Sequence, residues 1–212
     1  MNGKVSRYGV LGLGLSTFAL GLTALVTAQG GLRPGAGGEP PPLVQPGHRY
    51  DLPATLVTAE EIEKHKQRMV AIGATDIAMT MVKAGGGSAD HQVGISVVNR
   101  YFEQVNANYA VHDDVAEVYY VLEGRGRMKL GGKITDWERR PYSAWNGWGS
   151  RGTTAVGSQD MTIKKGDMLI VPAGTPHKWD FAEEFTSYIV VRVDPSGIAP
   201  LMELGTAEYP RR

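Results

Sequence analysis

The stretch "GDMLIVPAGTPHKWDF", residues 166–181, decides the fold. Gly166-Asp167 predicts a turn, and the apolar run Met168 to Val171 predicts a buried strand. Pro172-Ala173-Gly174 ends that strand, and His177 opens the next one. Pro172 and Pro176, on the two sides of this turn, stiffen the approach to His177, so the direction of the imidazole ring is fixed. A histidine held in this way is a candidate metal ligand.

A second stretch, "VHDDVAEVYYVLEG" at 111–124, carries His112 and Glu117. On one straight strand these two residues would lie about 16 Å apart, too far to share an ion. Asp113-Asp114 is a pair that favours turns, so the chain can reverse between them. Glu117 then opens an apolar strand, where an inward carboxylate needs a cation or a hydrogen-bond donor. The two stretches together predict a site built from His112, Glu117 and His177.

The chain around them is rich in short β-like segments. It has 28 glycines and 12 prolines in 212 residues, a composition typical of turn-rich β proteins. "TAEEIEKHKQRMVAIG" predicts one short helix with a capping box from Thr58 to Glu61. Several of the remaining apolar runs alternate and no helix separates them, which predicts an all-β sandwich or barrel. These runs are "TDIAMTMVKA", "QVGISVVNRYF", "NYAVH", "AEVYYVLEG", "GRMKLGG", "DMTIKKGDMLIVPAG", "HKWDF" and "TSYIVVRVDP".

The spacing of these residues resembles the two motifs of the cupin superfamily, whose fold is a double-stranded β-helix or jelly-roll barrel. His112, Glu117 and Gly124 fit the latter part of the first motif, G-x5-H-x-H-x3–4-E-x6-G. The second motif, G-x5-P-x-G-x2-H-x3-N, is matched by four residues in register, which are Gly166, Pro172, Gly174 and His177. The resemblance spans about 75 to 190 and implies an all-β cupin jelly-roll barrel with a short N-terminal helix.

Three positions depart from the cupin pattern. Ala110 stands where the first histidine of the first motif is expected, Gln104 replaces its opening glycine, and Phe181 replaces the final asparagine. Two histidines and one carboxylate remain, a set that suits Fe, Mn, Zn, Ni or Cu. The resemblance therefore implies a divalent metal on His112, Glu117 and His177. The alternative is a cupin that has lost its metal along with one ligand.

Other side chains are candidates for binding or catalysis. Tyr119 has the same parity as Glu117, so it is a candidate catalytic acid or hydrogen-bond donor, and otherwise a core tyrosine. Trp179 shares a face with His177 and is expected to wall the cavity. Arg192 would bind a substrate carboxylate if its face is internal, but "YIVVRV" is apolar on both faces. The segment 125–165 is expected to be a long loop. The loop would either bind substrate through Trp145, Trp148 and Arg151, or its tryptophans would hold it against the barrel or a second subunit.

The N-terminus predicts export. Lys4 and Arg7 precede an uncharged run from Gly9 to Val26, and Val26-Thr27-Ala28 suits cleavage after Ala28. We therefore expect a signal peptide at 1–28, a Gly/Pro-rich flexible linker at 29–50, and a single cupin domain at 51–212 in the periplasm or outside the cell. An uncleaved membrane anchor is the alternative.

Composition removes several classes of function. Lysine plus arginine and aspartate plus glutamate both number 22, so bulk charge does not favour nucleic acid or an anionic membrane. The absence of cysteine excludes thiolate chemistry and disulfides. Two functions remain open: a metal-dependent oxygenase, isomerase or lyase for a small polar organic molecule, or a non-catalytic module that binds a small molecule or saccharide. A homodimer is an expected assembly for either.

Overall fold

The computed structural model describes residues 52–85 and 91–209, all of which belong to one compact unit. The predicted signal peptide and linker lie outside the described residues. Within those residues the chain forms one helix and then strands only, as predicted. No helix in this part of the chain is both long enough and apolar enough to cross a membrane.

The elements follow one another along the chain with these bounds. They are α1 (Ala59–Ile72), β1 (Asp76–Lys83), β2 (Gln92–Arg100), β3 (Tyr109–His112), β4 (Ala116–Glu123), β5 (Arg125–Leu130), β6 (Lys133–Ile134), β7 (Glu138–Ser143), β8 (Gly147–Gly152), β9 (Ala155–Val156), β10 (Gln159–Lys164), β11 (Met168–Val171), β12 (His177–Ala182) and β13 (Thr186–Asp194).

The helix begins and ends where the sequence predicts. The Thr58 side chain accepts from the Glu61 backbone N–H at 3.2 Å, and the Glu61 carboxylate accepts from the Thr58 N–H at 2.8 Å. Gly73 closes the helix in the left-handed region at φ 70°, which glycine adopts without steric cost. The helix buries Met69 against Ile77, Met79 and Val97, which are side chains of the first two strands.

Two antiparallel sheets make up the sandwich. The five-stranded sheet has the order β1-β2-β13-β4-β11, and the six-stranded sheet has the order β10-β5-β12-β3-β8-β7. Their inner faces share one core, because alternate side chains of each strand point inward. The buried members of that core are Val98, Tyr119, Val121, Met128, Ile163, Val171, Trp179, Tyr188 and Val190. This is the predicted all-β jelly roll.

The strand Met168–Val171 is less buried than the sequence suggested. Val171 is buried, but Met168 and Ile170 are each 68% exposed. The reason is that the helix packs against β1 and β2, at the other edge of this sheet, so the outward side chains of β11 have no covering layer. An apolar run thus predicted a strand correctly and its burial wrongly.

The expected long loop at 125–165 is mostly β structure. Besides β5 and β10 it contains the hairpin β7–β8, which joins the six-stranded sheet through β3. A small separate sheet is formed by β6 and β9. Strands β7 and β8 read "ERRPYS" and "GWGSRG", sequences without apolar alternation. Because β7 is the sheet's edge and is largely solvent-exposed, it needs no such alternation, and the pattern could not reveal it.

Candidate metal centre

The two histidines and the glutamate meet across the sandwich. His112 ends β3 and His177 opens β12, which are neighbouring strands of the six-stranded sheet. After His112 the chain turns at Asp113-Asp114 and enters the other sheet, where Glu117 lies on β4. This is the predicted reversal. It brings together two residues that a straight strand would hold apart.

The three side chains converge on one point. Glu117 Oε2 lies 3.7 Å from His112 Nε2 and 3.5 Å from His177 Nε2. One ligand atom from each residue lies within 4.8 Å of the other two, and all three residues are buried. These separations are close to those between ligands of a single divalent ion, whose metal–ligand bonds are about 2.0 to 2.2 Å long.

Both imidazoles are prepared to act as ligands. His177 Nδ1 lies 3.0 Å from the carbonyl oxygen of Thr175, which can only accept, so Nδ1 donates and Nε2 is left facing Glu117. Burial lowers the pKa of His112 to about 3, against the opposing attraction of Glu117. His112 is therefore neutral at neutral pH, which is the form that binds metal.

Glu117 is ionised although it is buried. Burial has the largest effect on its pKa and raises it. The positive charge of Arg192, the two histidines and a hydrogen bond from Tyr119 together outweigh burial and bring the pKa to about 2. The Tyr119 hydroxyl donates to Glu117 Oε2 at 2.8 Å. Burial, with Glu117 nearby, holds the pKa of Tyr119 well above its usual value, so the phenol stays protonated and keeps donating.

Arg192 is internal, but its guanidinium is engaged by the chain itself. Its Nε donates to Glu117 Oε1 at 3.1 Å, its Nη2 donates to Asp76 Oδ2 at 2.7 Å, and its Nη1 donates to Ser96 Oγ. The side chain is 2% exposed. A substrate carboxylate would thus have to compete with Glu117 and Asp76 for the Arg192 guanidinium.

A cavity of about 280 Å³ opens over the candidate ligands. Tyr119, Trp179 and Arg192 line it. Parity predicted inward side chains for Tyr119 and Trp179, but it left the face of Arg192 undecided. Trp179 is fixed by a hydrogen bond from its Nε1 to the Tyr188 hydroxyl at 2.8 Å. The wall around the three ligands is mostly polar and includes Arg100, Asn106, Arg140 and Asn146.

Ala110 forms part of this wall at the position where the family's motif has a histidine. It lies directly opposite His177 in the pairing of β3 with β12. Ala110, Asn106 and Arg140 also line a second cavity of about 380 Å³, so the two cavities adjoin at these residues. The short alanine side chain leaves open the side of the site that an imidazole would fill.

Three predicted substrate-binding residues lie away from the candidate ligands. Trp148 is 50% exposed and packs edge-on against Tyr142, with ring centroids 5.5 Å apart. Arg151 lines the second cavity, where its guanidinium pairs with Glu138 at 2.7 Å. Trp145 is half-buried in the β7–β8 turn and does not line the cavity over the ligands. Their role in binding stays a prediction.

Sequence reasoning did not place Arg100 or Arg140 in the cavity over the candidate ligands. Arg100 ends β2 with the parity of the buried Val98, a signal that is readable only once that face is known to be internal. Arg140 lies on β7, in the segment expected to be a loop, so no parity could be assigned to it.

The donor set fits a divalent metal. It offers two imidazole nitrogens and a carboxylate. Thr175 orients His177, and Tyr119 and Arg192 orient Glu117. Such outer contacts are typical of metal ligands. Nitrogen and carboxylate donors suit Fe, Mn, Zn, Ni or Cu, and they do not choose among these metals.

Comparison with known proteins agrees with this architecture. The model of the cupin family matches residues 88–200, just over half of the chain. A search of curated proteins gave no match. Among solved structures, a Bacillus halodurans protein is 16% identical with a TM-score of 0.44, covering 76% of this chain and 92% of its own.

Two solved oxalate enzymes are also similar. An oxalate decarboxylase of Lactobacillus farciminis, in complex with formate, is 12% identical with a TM-score of 0.34, covering 49% of this chain and 24% of its own. An oxalate oxidase is 14% identical with a TM-score of 0.34, covering 52% of this chain and 45% of its own. The chain thus spans less than half the length of either enzyme. All three TM-scores lie below 0.5, so the assignment rests on the sequence match to the family. By that match, the chain belongs to the cupin family.

Proposed function

We propose that this protein is a metal-dependent cupin enzyme that binds a divalent ion through His112, His177 and Glu117 and acts on a small polar organic molecule. The observation that carries the proposal is the convergence of three buried ligand atoms within 4.8 Å of one another. Arg192 binds Glu117 Oε1, whereas Oε2 is directed at the Nε2 atoms of both histidines. The open cavity above them gives a small molecule access.

The protein's own residues define what the site can do. A bound divalent ion would supply Lewis acidity toward an oxygen of the substrate. His177, held by Thr175, fixes one ligand direction, and Arg192 keeps Glu117 charged and oriented. Tyr119 donates to Glu117, so we assign it the role of positioning that carboxylate. To donate a proton to the substrate, Tyr119 would first have to break this hydrogen bond. Oxygenase, isomerase and lyase chemistry are all compatible with this arrangement.

A second candidate is a cupin that binds a small molecule without metal. The ion pair between Arg192 and Glu117 favours it, because the glutamate's charge is already compensated by the protein. In this function the cavity over His112 and His177 serves only for binding. Exposed aromatic residues such as Trp148 could then contribute to ligand contact.

Metal analysis separates the two candidates. The protein is purified without chelator and its metal content is measured beside the His177→Ala variant. We expect close to one divalent ion per chain in the wild type and a large loss in the variant. His65→Gln is the control, because His65 is on the buried face of α1 and contacts Ile77 and Tyr209 instead. A wild type that binds no Fe, Mn, Zn, Ni or Cu on titration would refute the metal enzyme and leave the binding protein.

We also propose that the protein is exported, on the grounds of the charged start, the uncharged run and the cleavage signal at Ala28. N-terminal sequencing of the chain isolated from its native cells should begin near Gln29. A chain that begins at Met1 in the membrane fraction would contradict this.

A further inference from the structure

Two arginines face the cavity with no carboxylate partner. Arg100 and Arg140 both line the cavity over the candidate ligands. Neither forms a salt bridge with any residue that the structure describes, although most of the exposed arginines on the barrel do. Arg125, Arg127, Arg139 and Arg151 are each paired with an acidic side chain. Cations left unpaired in a partly enclosed polar cavity are suited to an anionic ligand.

The sheet register places Arg140 beside the candidate metal ligands. Arg140 on β7 is opposite Gly149 on β8, and Gly149 is opposite His112 on β3. Directly opposed residues of antiparallel strands lie on the same face. Because glycine has no side chain, nothing stands between Arg140 and His112 in that row. Arg140 also borders the second cavity, so it lies where the two cavities join.

Arg100 approaches from the other sheet. Its guanidinium lies 5.9 Å from the centre of the Tyr188 ring, inside the sandwich. Its Nε is buried and has no hydrogen-bond partner among the described residues. The bond from its Nη1 to the carbonyl oxygen of Asn99 is long, at 3.5 Å. The guanidinium therefore keeps hydrogen-bonding capacity that the described residues do not use.

The balance of charge in the cavity is positive. Its wall holds four cationic side chains, Arg100, Arg140, Lys178 and Arg192, against the carboxylates of Asp76 and Glu117. Arg192 is shared between both carboxylates. Four cations against two carboxylates leave two positive charges before any metal binds, and a divalent ion would add two more. Asn146, buried at 8% exposure with no partner for its Oδ1 among the described residues, adds a polar group to the same wall.

We propose that the cavity selects small organic carboxylates, and that Arg140 and Arg100 hold the carboxylate group. This rests on the proposed function for the reaction, but the arginines recognise the anion whether or not metal is bound. The planar guanidinium suits a carboxylate because two parallel N–H donors meet its two oxygens. The cavity of about 280 Å³ lies at the small end of the range for ligand cavities, which suits a small molecule.

The test measures binding of malonate to the full chain by titration calorimetry. Metal is first removed with a chelator, which is then dialysed away. Malonate carries two carboxylates, whereas malonamide has nearly the same size and no charge, and inorganic phosphate is an anion of different shape. We expect malonate to bind at least tenfold more tightly than malonamide and more tightly than phosphate. Equal binding of malonate and malonamide, no binding of either, or a preference for phosphate overturns the proposal.

Variants locate the binding groups. Arg140→Gln should weaken malonate binding at least tenfold, and Arg100→Gln should do the same. Lys165→Gln is the matched control, since Lys165 is exposed in the turn after β10 and the substitution removes the same charge. Binding by both arginine variants at wild-type strength would refute the assignment. The comparison of malonate with malonamide uses the wild type, so it remains decisive if an arginine variant does not fold.

Failure of this proposal can be told from failure of the metal site. Malonate that binds the metal-free chain while no metal binds on titration supports carboxylate recognition and refutes the metal enzyme. A metal that binds while malonate and malonamide behave alike supports the enzyme and refutes carboxylate selection.

Discussion

Arg192 on β13 lies directly opposite Glu117 on β4, and its Nε donates to Glu117 Oε1 at 3.1 Å. A buried cation therefore faces a candidate metal ligand from the adjacent strand. The pair gives the site a stable form without metal, since Glu117 is compensated in advance. It also leaves Oε2 of Glu117 directed at the two histidines.

Removal of Arg192 is expected to destabilise the metal-free protein strongly. Arg192→Leu leaves Glu117 and Asp76 without their cation, and breaking a buried pair in this way costs about 3 to 5 kcal/mol. Urea unfolding of wild type and variant measures the loss. Adding Glu117→Gln to the variant should recover part of it, because one buried charge is then gone. A loss below about 1 kcal/mol would show that the pair contributes little.

Loss of the Tyr119 hydroxyl should weaken metal binding while the barrel stays folded. Tyr119→Phe removes the donor to Glu117 Oε2, and loss of such an outer contact typically lowers metal affinity about 10- to 100-fold. Competition with a coloured chelator measures the affinity. Tyr120→Phe is the control, because Tyr120 is 44% exposed on the outer face. Equal affinity in Tyr119→Phe and wild type would contradict the positioning role of this hydroxyl.

Ala110→His should restore a fourth ligand. Ala110 lines the cavity opposite His177, so an imidazole there would replace solvent at the metal and raise affinity by about tenfold or more. The same change should lower any activity that needs an open position. Titration with Fe(II), Mn(II) or Zn(II) measures the affinity, and Ala110→Gln controls for side-chain size. If the variant binds metal no better than Ala110→Gln does, position 110 does not reach the ion.

The metal-free protein should lose stability as pH falls below 6.5. The pKa of His112 is about 3 in the folded chain and 6.5 when unfolded, so between these values the unfolded state binds the extra proton. The contribution of neutral, buried His112 to the free energy of unfolding therefore falls by about 1.4 kcal/mol for each pH unit in this range. Glu117, with a pKa near 2 when folded and 4.5 when unfolded, acts in the same direction below pH 4.5.

Denaturant unfolding of wild type and His112→Gln from pH 6.5 to 4.5 isolates the histidine. The variant should show a shallower decline, by on the order of 2 kcal/mol over this range. His65 titrates in both proteins and cancels in the comparison. Parallel curves for the two proteins would mean that His112 is not held neutral by burial.

Local sequence determined much of this protein. The capping box from Thr58 to Glu61 fixed the start of the helix, and period-two alternation located most of the strands. The spacing around His177, and from His112 to Gly124, was enough to indicate the cupin family and three candidate ligands. These features are readable because each depends on neighbours a few residues away.

Only the tertiary structure decided the chemistry of the cavity. Alternation separates two faces of a strand but does not say which is internal when both are apolar, so Arg192 could not be placed beforehand. Arg140 lies on a polar edge strand that carries no periodic signal. Its position beside His112 depends on cross-strand register over Gly149, and the pairing of Arg192 with Glu117 joins residues 75 apart. Such pairings are set by how whole sheets fold against each other, and that information is not local to any stretch of sequence.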